Sequence, residues 1–381
     1  MKKIIFTFLA LLFIPICALA EDLAPNAGSA ILIEASTGEI IYEKNSHEKL
    51  APASMTKMMS MLLIVENIEK GVISWDEKVI ASENASGMGG SQILLETGEE
   101  MTVSDLFKGI AVASGNDAVV AMAEKIGGTV ENFVSMMNKR AKELGLKDTN
   151  FKNPHGLDEA NHYSSAYDMS LIAKELVKHE KVLEFTSIYE DYLRENTDRK
   201  LWLVNTNKLV RFYSGVDGLK TGYTKSAGYC LTATASRNDV RFIAVAMNEE
   251  DSKTRNAEVS AMLDYGFSQY KSVKLLSQND VVDKKVIDRG KNKYALIVPS
   301  KDVNVVLKKI STDDKVTYDL DIKDIKAPIK KGDIVGEVIV KINNKEYKRV
   351  PLTVKEDIKK ANVIDLYFRY LKDILIGDIK F

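Results

Sequence analysis

The sequence predicts an α+β fold in which a mainly antiparallel sheet, flanked by helices, is followed by a small all-β domain and a C-terminal amphipathic helix. Three observations lead to this prediction. Two strand-like runs precede a block of helical patterns, and more strand-like runs and one long helical pattern follow it. After residue 272, short β-rich runs alternate with charged turns. Residues 359–381 then return to apolar residues at helical spacing.

The first part of the chain begins with a predicted hairpin and a buried helix. Residues 29–34 and 39–43 have strand patterns joined by a short turn. A helical pattern then covers residues 52–70 and ends at Gly71, with apolar residues on nearly every face, which predicts a central, buried helix. The remaining predicted elements are helices at 104–113, 116–126, 130–144 and 167–178, strands at 228–235 and 240–247, and a helix at 254–270.

Changes in composition divide the chain into four predicted segments. They are a signal peptide at 1–20, the α+β domain at 21–272, the β-rich domain at 273–356 and the amphipathic helix at 357–381. The β-rich domain is predicted from short runs at 281–282, 294–298, 303–307, 335–342 and 349–354, with no helical segment among them.

The first twenty residues have the three parts of a secretory signal. Two lysines precede an apolar run over residues 4–16, and Ala18-Leu19-Ala20 is a small-residue cleavage site. The apolar run is too short to span a bilayer comfortably. We therefore expect an exported protein that works at the outer face of the cytoplasmic membrane. Cleavage would remove Cys17 and leave Cys230 as a single cysteine, which cannot form an internal disulfide.

The charge balance of the chain bears on its partners. The sequence contains 53 Lys and Arg residues against 54 Asp and Glu residues. A protein that binds nucleic acid through its phosphates needs a basic surface, so this composition does not favour a nucleic-acid partner.

The C-terminal stripe predicts contact with a membrane surface. A short apolar stripe interrupted by charges cannot cross a bilayer but can lie in its interface. The alternative, a terminal helix that packs on the protein itself, stays open from the residues alone. The stripe consists of Ile364, Tyr367, Phe368, Leu371, Ile374 and Leu375.

The first candidate for chemistry is Ser54-Met55-Thr56-Lys57, at the start of the predicted buried helix. Residues three apart share a helix face, so Lys57 could take the Ser54 proton if burial keeps the lysine neutral often enough. The first helical turn also offers unpaired backbone N–H groups that could stabilise an oxyanion. Ser46 and Ser268 are also followed by lysine at the same spacing, and a helix N-cap is the ordinary role for a serine like Ser54.

Two further candidates lie downstream. Ser114-Gly115-Asn116 falls between two predicted helices and could present a hydroxyl and an amide to a cleft, although a helix–helix turn is its ordinary role. Lys220-Thr221-Gly222 occurs once, just before a strand-like run. A lysine beside a hydroxyl suits a substrate carboxylate, and the glycine would let an extended substrate approach the backbone closely.

The three motifs together resemble the signature of penicillin-binding proteins and serine β-lactamases. The wider sequence at 51–57, 113–118, 153–158 and 218–224 resembles the D-alanyl-D-alanine carboxypeptidase branch of that group. The resemblance covers nearly the whole chain. It implies a β-lactamase/transpeptidase-like domain that removes the terminal D-alanine from peptidoglycan stem peptides ending in D-Ala-D-Ala, with β-lactams as inhibitors. It implies neither a metal nor an organic cofactor.

By this resemblance each motif has an expected role. Ser54 attacks the carbonyl between the two D-alanines, Lys57 acts as base, and Ser114 and Asn116 assist proton relay and positioning.

The same resemblance assigns the substrate-binding residues. Lys220 and Thr221 bind the terminal carboxylate, with Arg255 in support, although an arginine at a helix start is usually solvated. Gly222 gives access to the strand, and the backbone N–H of Tyr223 joins that of Ser54 in the oxyanion hole. Tyr223 stands where some relatives carry histidine. His155 borders the site in relatives, and a simple packing role for it is equally open.

Several other functions are weighed against this one. A serine β-lactamase shares the motifs, but it normally lacks a β-rich domain and uses a loop glutamate that residues 153–158 do not clearly supply. D,D-endopeptidase or transpeptidase activity would use the same acyl-enzyme with another acceptor. The four histidines show no His-Glu-x-x-His pattern, which disfavours a zinc peptidase. A non-catalytic penicillin sensor is disfavoured because every expected side chain is present.

Overall fold

The computed structural model describes residues 22–287, 289–310 and 314–375. The predicted signal peptide, residues 1–20, and the last part of the predicted terminal helix, residues 376–381, lie outside this part of the chain. The strands are β1 (Ser29–Glu34), β2 (Ile40–Lys44), β3 (Lys78–Ile80), β4 (Glu100–Thr102), β5 (Glu190–Leu193), β6 (Leu201–Val204), β7 (Val216–Thr224), β8 (Gly228–Arg237), β9 (Val240–Glu249), β10 (Tyr270–Leu276), β11 (Asp283–Val286), β12 (Tyr294–Pro299), β13 (Val303–Lys308), β14 (Val316–Ile322), β15 (Gly336–Ile342) and β16 (Lys345–Val354). The helices are α1 (Lys57–Glu69), α2 (Glu83–Ser86), α3 (Val103–Ala113), α4 (Asn116–Gly127), α5 (Val130–Glu143), α6 (Ala166–Leu176), α7 (Glu180–Thr186), α8 (Leu209–Phe212), α9 (Ser252–Gln269) and α10 (Val363–Leu375), and a 3₁₀ turn spans Ala53–Thr56.

A five-stranded antiparallel sheet in the order β2-β1-β9-β8-β7 forms the centre of the first domain. Because successive strand residues face opposite sides, β1 contributes to two cores. Ile31 and Ile33 belong to a core that includes α1, whereas Ala30 and Leu32 belong to a core that includes α9. The sheet is therefore covered by helices on both faces, and the predicted α+β class is confirmed.

The predicted central helix is confirmed as α1, with a different first turn. Every residue of α1 from Lys57 to Glu66 is buried, as its all-round apolar pattern predicts. The chain enters α1 through the 3₁₀ turn at 53–56 instead of a regular helical turn. Gly71, just beyond the helix, has a φ of +71°, a conformation that suits a C-terminal glycine.

Strand β7 was not predicted as a strand. Lys220-Thr221-Gly222 was predicted to precede the strand-like run at 228–235, whereas the triplet lies inside β7 and pairs with β8. Two glycines, an aspartate and a lysine in β7 interrupt the apolar alternation by which a strand is usually found. The short elements α2, α7, α8 and β3 to β6 were also missed, because each is too short to show a clear period.

The second domain is all-β, as predicted. A five-stranded antiparallel sheet has the order β11-β12-β16-β15-β14, and β10 pairs with β13. The predicted run at 281–282 directly precedes strand β11, and strand β14 was not predicted. The predicted boundary after residue 272 falls inside β10, which begins at Tyr270 immediately after α9.

The terminal helix α10 leaves its apolar side chains exposed. Ile364, Tyr367 and Phe368 are each more than 60% exposed, and Leu375 is 78% exposed. One contact ties this helix to the β-rich domain, a hydrogen bond of 2.8 Å from the Arg369 guanidinium to the Gly290 carbonyl. Within the described residues, no helix is both long enough and apolar enough to cross a bilayer.

A buried carboxyl pair lies where β9 meets α9. The Glu249 side chain is 2% exposed, and neither of its oxygens has a hydrogen-bond partner in the described part of the chain. The neighbouring Glu258 carboxylate accepts hydrogen bonds from the backbone N–H groups of Asn26 and Ala27, at 2.9 and 3.1 Å. Burial, together with Glu258, raises the pKa of Glu249 to about 8, so Glu249 carries a proton at neutral pH.

This pair predicts a pH-dependent stability. Between about pH 4.5 and about pH 8 the folded chain holds a proton on Glu249 that the unfolded chain releases, so the free energy of unfolding should fall as the pH rises. The Glu249→Gln side chain cannot ionise, so the free energy of unfolding of this variant should fall less over this range. Denaturant unfolding of both proteins across the range measures the two slopes. If the free energy of unfolding changed equally with pH in both proteins, Glu249 would not be the cause of the pH dependence.

Candidate active site

The three sequence motifs come together in one cleft. Ser54 lies in the 3₁₀ turn before α1, Ser114 lies between α3 and α4, and Thr221 lies on β7. All three line a cleft of about 420 Å³. Residues up to 167 positions apart in the chain therefore face one volume, as the resemblance implied.

Lys57 links the first two motifs. Its ammonium nitrogen Nζ lies 2.9 Å from Ser54 Oγ, 2.6 Å from Asn116 Oδ1 and 2.7 Å from the backbone carbonyl oxygen of His155. The Asn116 amide in turn donates to the Gly89 carbonyl at 2.7 Å. These bonds fix the lysine beside the serine hydroxyl, within the distance that proton transfer requires.

The surroundings of Lys57 favour its neutral form. The side chain is fully buried. Burial, and to a smaller extent the charge of Lys220, hold the pKa of Lys57 well below its usual value, whereas Asp117 acts in the opposite direction. A neutral amine 2.9 Å from a hydroxyl can accept its proton, so the geometry of Ser54 and Lys57 is compatible with a nucleophile–base pair.

Two glycines allow the surrounding chain to approach the Ser54 turn. Gly156 has a φ of +88°, and a Cβ there would overlap the Ala53 carbonyl oxygen. A Cβ on Gly222 would lie 2.9 Å from the Pro52 carbonyl oxygen and 3.2 Å from the Ser54 nitrogen. Gly222 was expected to give an extended substrate access to the strand. In the structure its missing side chain lets β7 pack against the turn that carries Ser54.

Ser114 and its neighbours form the second wall of the cleft. Ser114 ends α3 with a φ of +62° and is 4% exposed, so its backbone conformation is not that of an ordinary helix residue. Asp117, in the first turn of α4, accepts backbone hydrogen bonds from Ile93 and Leu95 at 3.0 and 3.1 Å. These bonds hold the segment before residue 95 against the start of α4, where Asn116 meets Lys57.

Lys220 and Arg255 supply positive charge beneath the third motif. Lys220 is 1% exposed, and its ammonium donates to the Thr221 carbonyl at 3.0 Å. Burial and the charge of Arg255 lower the pKa of Lys220 to about 7. Arg255 is 5% exposed and is not the solvated arginine that a helix start commonly carries. Its guanidinium contacts the Cys230 carbonyl at 3.4 Å and lines the cleft.

Thr221 and Tyr223 reach the cleft in different ways. The Thr221 hydroxyl donates to the Thr206 hydroxyl oxygen at 2.7 Å, so its proton is already engaged in a hydrogen bond. The Tyr223 ring packs on the Tyr229 ring, with 4.4 Å between the centroids, and is 57% exposed. Its backbone belongs to β7, beside the Ser54 turn.

Several residues of the site were not predicted from the sequence. The His155 carbonyl accepts a hydrogen bond from Lys57, whereas only the His155 ring was considered as a candidate, and burial lowers the pKa of that ring to about 3. Thr206 and Lys208 also line the cleft and were not singled out. Backbone acceptors and isolated threonines or lysines carry no motif, so only the position of Thr206 and Lys208 beside β7 reveals them.

Among the described residues, a cluster with metal-ligand chemistry lies on α1 and at the end of α6, away from this cleft. Glu66, Glu175 and His179 have ligand atoms within 4.8 Å of one another. The Arg140 guanidinium already contacts Glu66 at 2.7 Å and Glu175 at 3.4 Å. Lys70 also pairs with Glu66 and Lys178 with Glu175, so cationic side chains already balance both carboxylates and the cluster is better described as an ion-pair network.

Two family models match the chain. One, described as D-alanyl-D-alanine carboxypeptidase, matches residues 18–251, and the other, described as penicillin-binding protein 5, C-terminal domain, matches residues 270–360. The D-alanyl-D-alanine carboxypeptidase DacF of Bacillus subtilis is 53% identical over 354 residues, which cover 93% of this chain and 91% of that protein. The matches therefore extend over both domains.

Solved structures give the same result. Penicillin-binding protein 5 from Haemophilus influenzae is 32% identical with a TM-score of 0.66, covering 88% of this chain and 98% of that one. Penicillin-binding protein D2 from Listeria monocytogenes, in its ampicillin-bound form, is 30% identical with a TM-score of 0.57, covering 64% of this chain and 98% of that one.

Proposed function

The chain belongs to the D-alanyl-D-alanine carboxypeptidase family, and from this premise we propose that Ser54 is the nucleophile acylated in its reaction. The protein is a hydrolase that removes terminal D-alanine. The observation that carries the Ser54 assignment is the buried Lys57 amine, 2.9 Å from the Ser54 hydroxyl oxygen. Ser114, the other serine of the three motifs, makes no hydrogen bond of this kind to a lysine of the described chain.

Acylation begins with transfer of the Ser54 proton to neutral Lys57. The Ser54 oxygen attacks the carbonyl carbon between the two D-alanines and forms a tetrahedral oxyanion. The backbone N–H groups of Ser54 and Tyr223 are the proposed donors to this oxyanion. Both residues are next to the close contact between Gly222 and the turn that carries Ser54. The proton then passes to the leaving nitrogen, with Ser114 as the relay at the cleft wall. D-alanine departs and the Ser54 ester remains.

Deacylation reverses the same proton transfer with water. Neutral Lys57 takes a proton from a water molecule, whose oxygen attacks the ester, and the Ser54 oxygen regains a proton as the acid product leaves. Asn116 holds Lys57 through its 2.6 Å bond during both steps. A β-lactam would acylate Ser54 in the same way, and the ampicillin-bound relative supports this part of the proposal.

Lys220, Thr221 and Arg255 are the proposed binding groups for the substrate carboxylate. Bringing a carboxylate close to the two cations favours the protonated form of Lys220, because an opposite charge favours the charged state of an amine. A protonated Lys220 in turn disfavours protonation of Lys57, so carboxylate binding keeps the base in its active form.

The direct test of this function is an assay on purified protein. We expect release of D-alanine from an acylated peptide ending in D-Ala-D-Ala, and a fluorescent penicillin should label the peptide that contains Ser54 after proteolysis and mass spectrometry. Absence of both D-alanine release and label would reject the hydrolase. Release with the label on another serine would reject Ser54 as the nucleophile.

Export and a peripheral membrane position also belong to this proposal. Peptidoglycan lies outside the cytoplasmic membrane, and the leader pattern of residues 1–20 supports export to that compartment. The apolar side chains of α10 are exposed instead of packed on the domains, which supports insertion into a membrane surface. The β-rich domain lies between α10 and the first domain in the chain and would act as a spacer.

Removing residues 357–381 should release the protein from membranes. Wild type should sediment with membranes after cell fractionation, and the truncated protein should remain in the supernatant with unchanged D-alanine release, because the catalytic cleft contains none of these residues. A matched control, Ile364→Ser with Phe368→Ser, should give the same redistribution in the full-length chain. Equal recovery of all three proteins with membranes would contradict the anchor.

A further inference from the structure

The cleft has a marked charge asymmetry. Among the described residues that line it, Lys208 and Arg255 are cationic and none carries a carboxylate. Lys220, buried next to Thr221 of the cleft lining, adds a third cationic side chain. A cleft lined by one sign of charge concentrates ligands of the opposite sign, so this volume is selective for an anion.

The three cations differ in their exposure. Lys220 and Arg255 are 1% and 5% exposed, so an approaching anion cannot contact them until it has entered the cleft. Lys208, by contrast, is exposed, and its ammonium lies 5.3 Å from the centroid of the Tyr189 ring. Lys208 immediately precedes α8. The two residues before it, Thr206 and Asn207, form hydrogen bonds with β7. Lys208 is therefore the cation that an incoming carboxylate meets first.

Thr206 is placed to donate a hydrogen bond inside the cleft. The Thr221 hydroxyl donates its proton to the Thr206 oxygen at 2.7 Å, so Thr221 can give that proton to a ligand only by breaking this bond. A hydroxyl that accepts one hydrogen bond still has its own proton to donate. Thr206 lines the cleft between Val204 and Lys208, so its proton is available to an anion held there.

We propose that Thr206 and Lys208 are specificity-determining residues that bind the C-terminal carboxylate of the substrate. Lys208 captures the carboxylate at the mouth of the cleft, and Thr206, polarised by its bond from Thr221, donates to it inside. This assignment rests on the proposed function and adds two residues to it. The class of ligand is a peptide or β-lactam with a free carboxylate.

The test compares kinetics of Lys208→Met, Thr206→Val and Thr206→Ser with wild type. For D-alanine release at low salt, Lys208→Met should raise KM roughly fivefold with kcat unchanged, because an exposed charge contributes about this much to binding. The difference should shrink at high salt, where the charge is screened. Thr206→Val should lower kcat/KM about tenfold, as expected for loss of a bond to a charged group, and Thr206→Ser should restore it.

A neutral ligand separates carboxylate binding from a structural effect. Acylation by benzylpenicillin should slow in Lys208→Met and Thr206→Val, whereas acylation by its methyl ester should be the same as in wild type. Lys181→Met removes an exposed lysine outside the cleft and should behave as wild type throughout. An unchanged KM in Lys208→Met at low salt, or equal slowing with the acid and the ester, would overturn the proposal. If wild type released no D-alanine, the proposed function would fail, and the two acylation rates would still decide this inference.

Discussion

Ser54→Ala is expected to abolish both D-alanine release and labelling by a β-lactam, with the fold retained. The serine oxygen is the only protein atom that bonds to the substrate's acyl carbon in the proposed mechanism, and Lys57 cannot replace it. Loss of a serine nucleophile typically lowers kcat by about a millionfold, which places the variant at background. Release assays with single-turnover sampling, together with penicillin labelling on gels, measure both effects.

The fold of this variant can be checked independently. Removing the hydroxyl takes away one hydrogen bond from Lys57, which keeps its bonds to Asn116 and to the His155 carbonyl. The melting temperature should therefore stay close to that of wild type. Release by Ser54→Ala at a rate within tenfold of wild type would show that another group forms the acyl-enzyme.

Much of the fold could be predicted from periodicity. The hairpin β1–β2, the buried helix α1 and the helices α3 to α6 have long or strongly alternating apolar patterns, and the structure has them at nearly the predicted bounds. Strand β7 could not be predicted in this way, because its glycines and lysine serve the contact with the Ser54 turn and the cleft instead of a uniform core. Local sequence rules failed where the chain builds the site.

The residues of the candidate site also fall into those that could be predicted from the sequence and those that could not. Ser54, Lys57, Ser114 and Thr221 could be selected because short motifs carry them, and they share one cleft or bond network. The His155 carbonyl, Thr206 and Lys208 could not, because their positions depend on how distant segments pack beside β7 and α1. The buried position of Arg255 could not be predicted from the sequence either, because β8 and α9 together form its surroundings.

Lys57→Arg and Lys57→Met are expected to lose activity to a similar extent, and the comparison separates two roles of this lysine. Lysine can be neutral when burial lowers its pKa, whereas an arginine keeps its charge under all accessible conditions. Arginine could still donate to Ser54 and Asn116, so it would preserve a purely electrostatic or structural role. It cannot accept the serine proton. Both variants should therefore lower kcat/KM by about 10²- to 10⁴-fold.

The pH dependence gives this comparison its second readout. For wild type, kcat/KM should fall at acid pH as Lys57 becomes protonated, and above about pH 7 in the free enzyme as Lys220 loses the charge that binds the carboxylate. In the pH profile of the residual Lys57→Met activity, the acid-side fall caused by protonation of Lys57 should be absent. Stopped-flow acylation by a β-lactam across pH measures these limbs without the release step. The contrary result would be Lys57→Arg activity within tenfold of wild type, with the fall at acid pH retained. It would show that Lys57 supplies charge and does not act as a base. The Ser54 proton would then need another acceptor nearby.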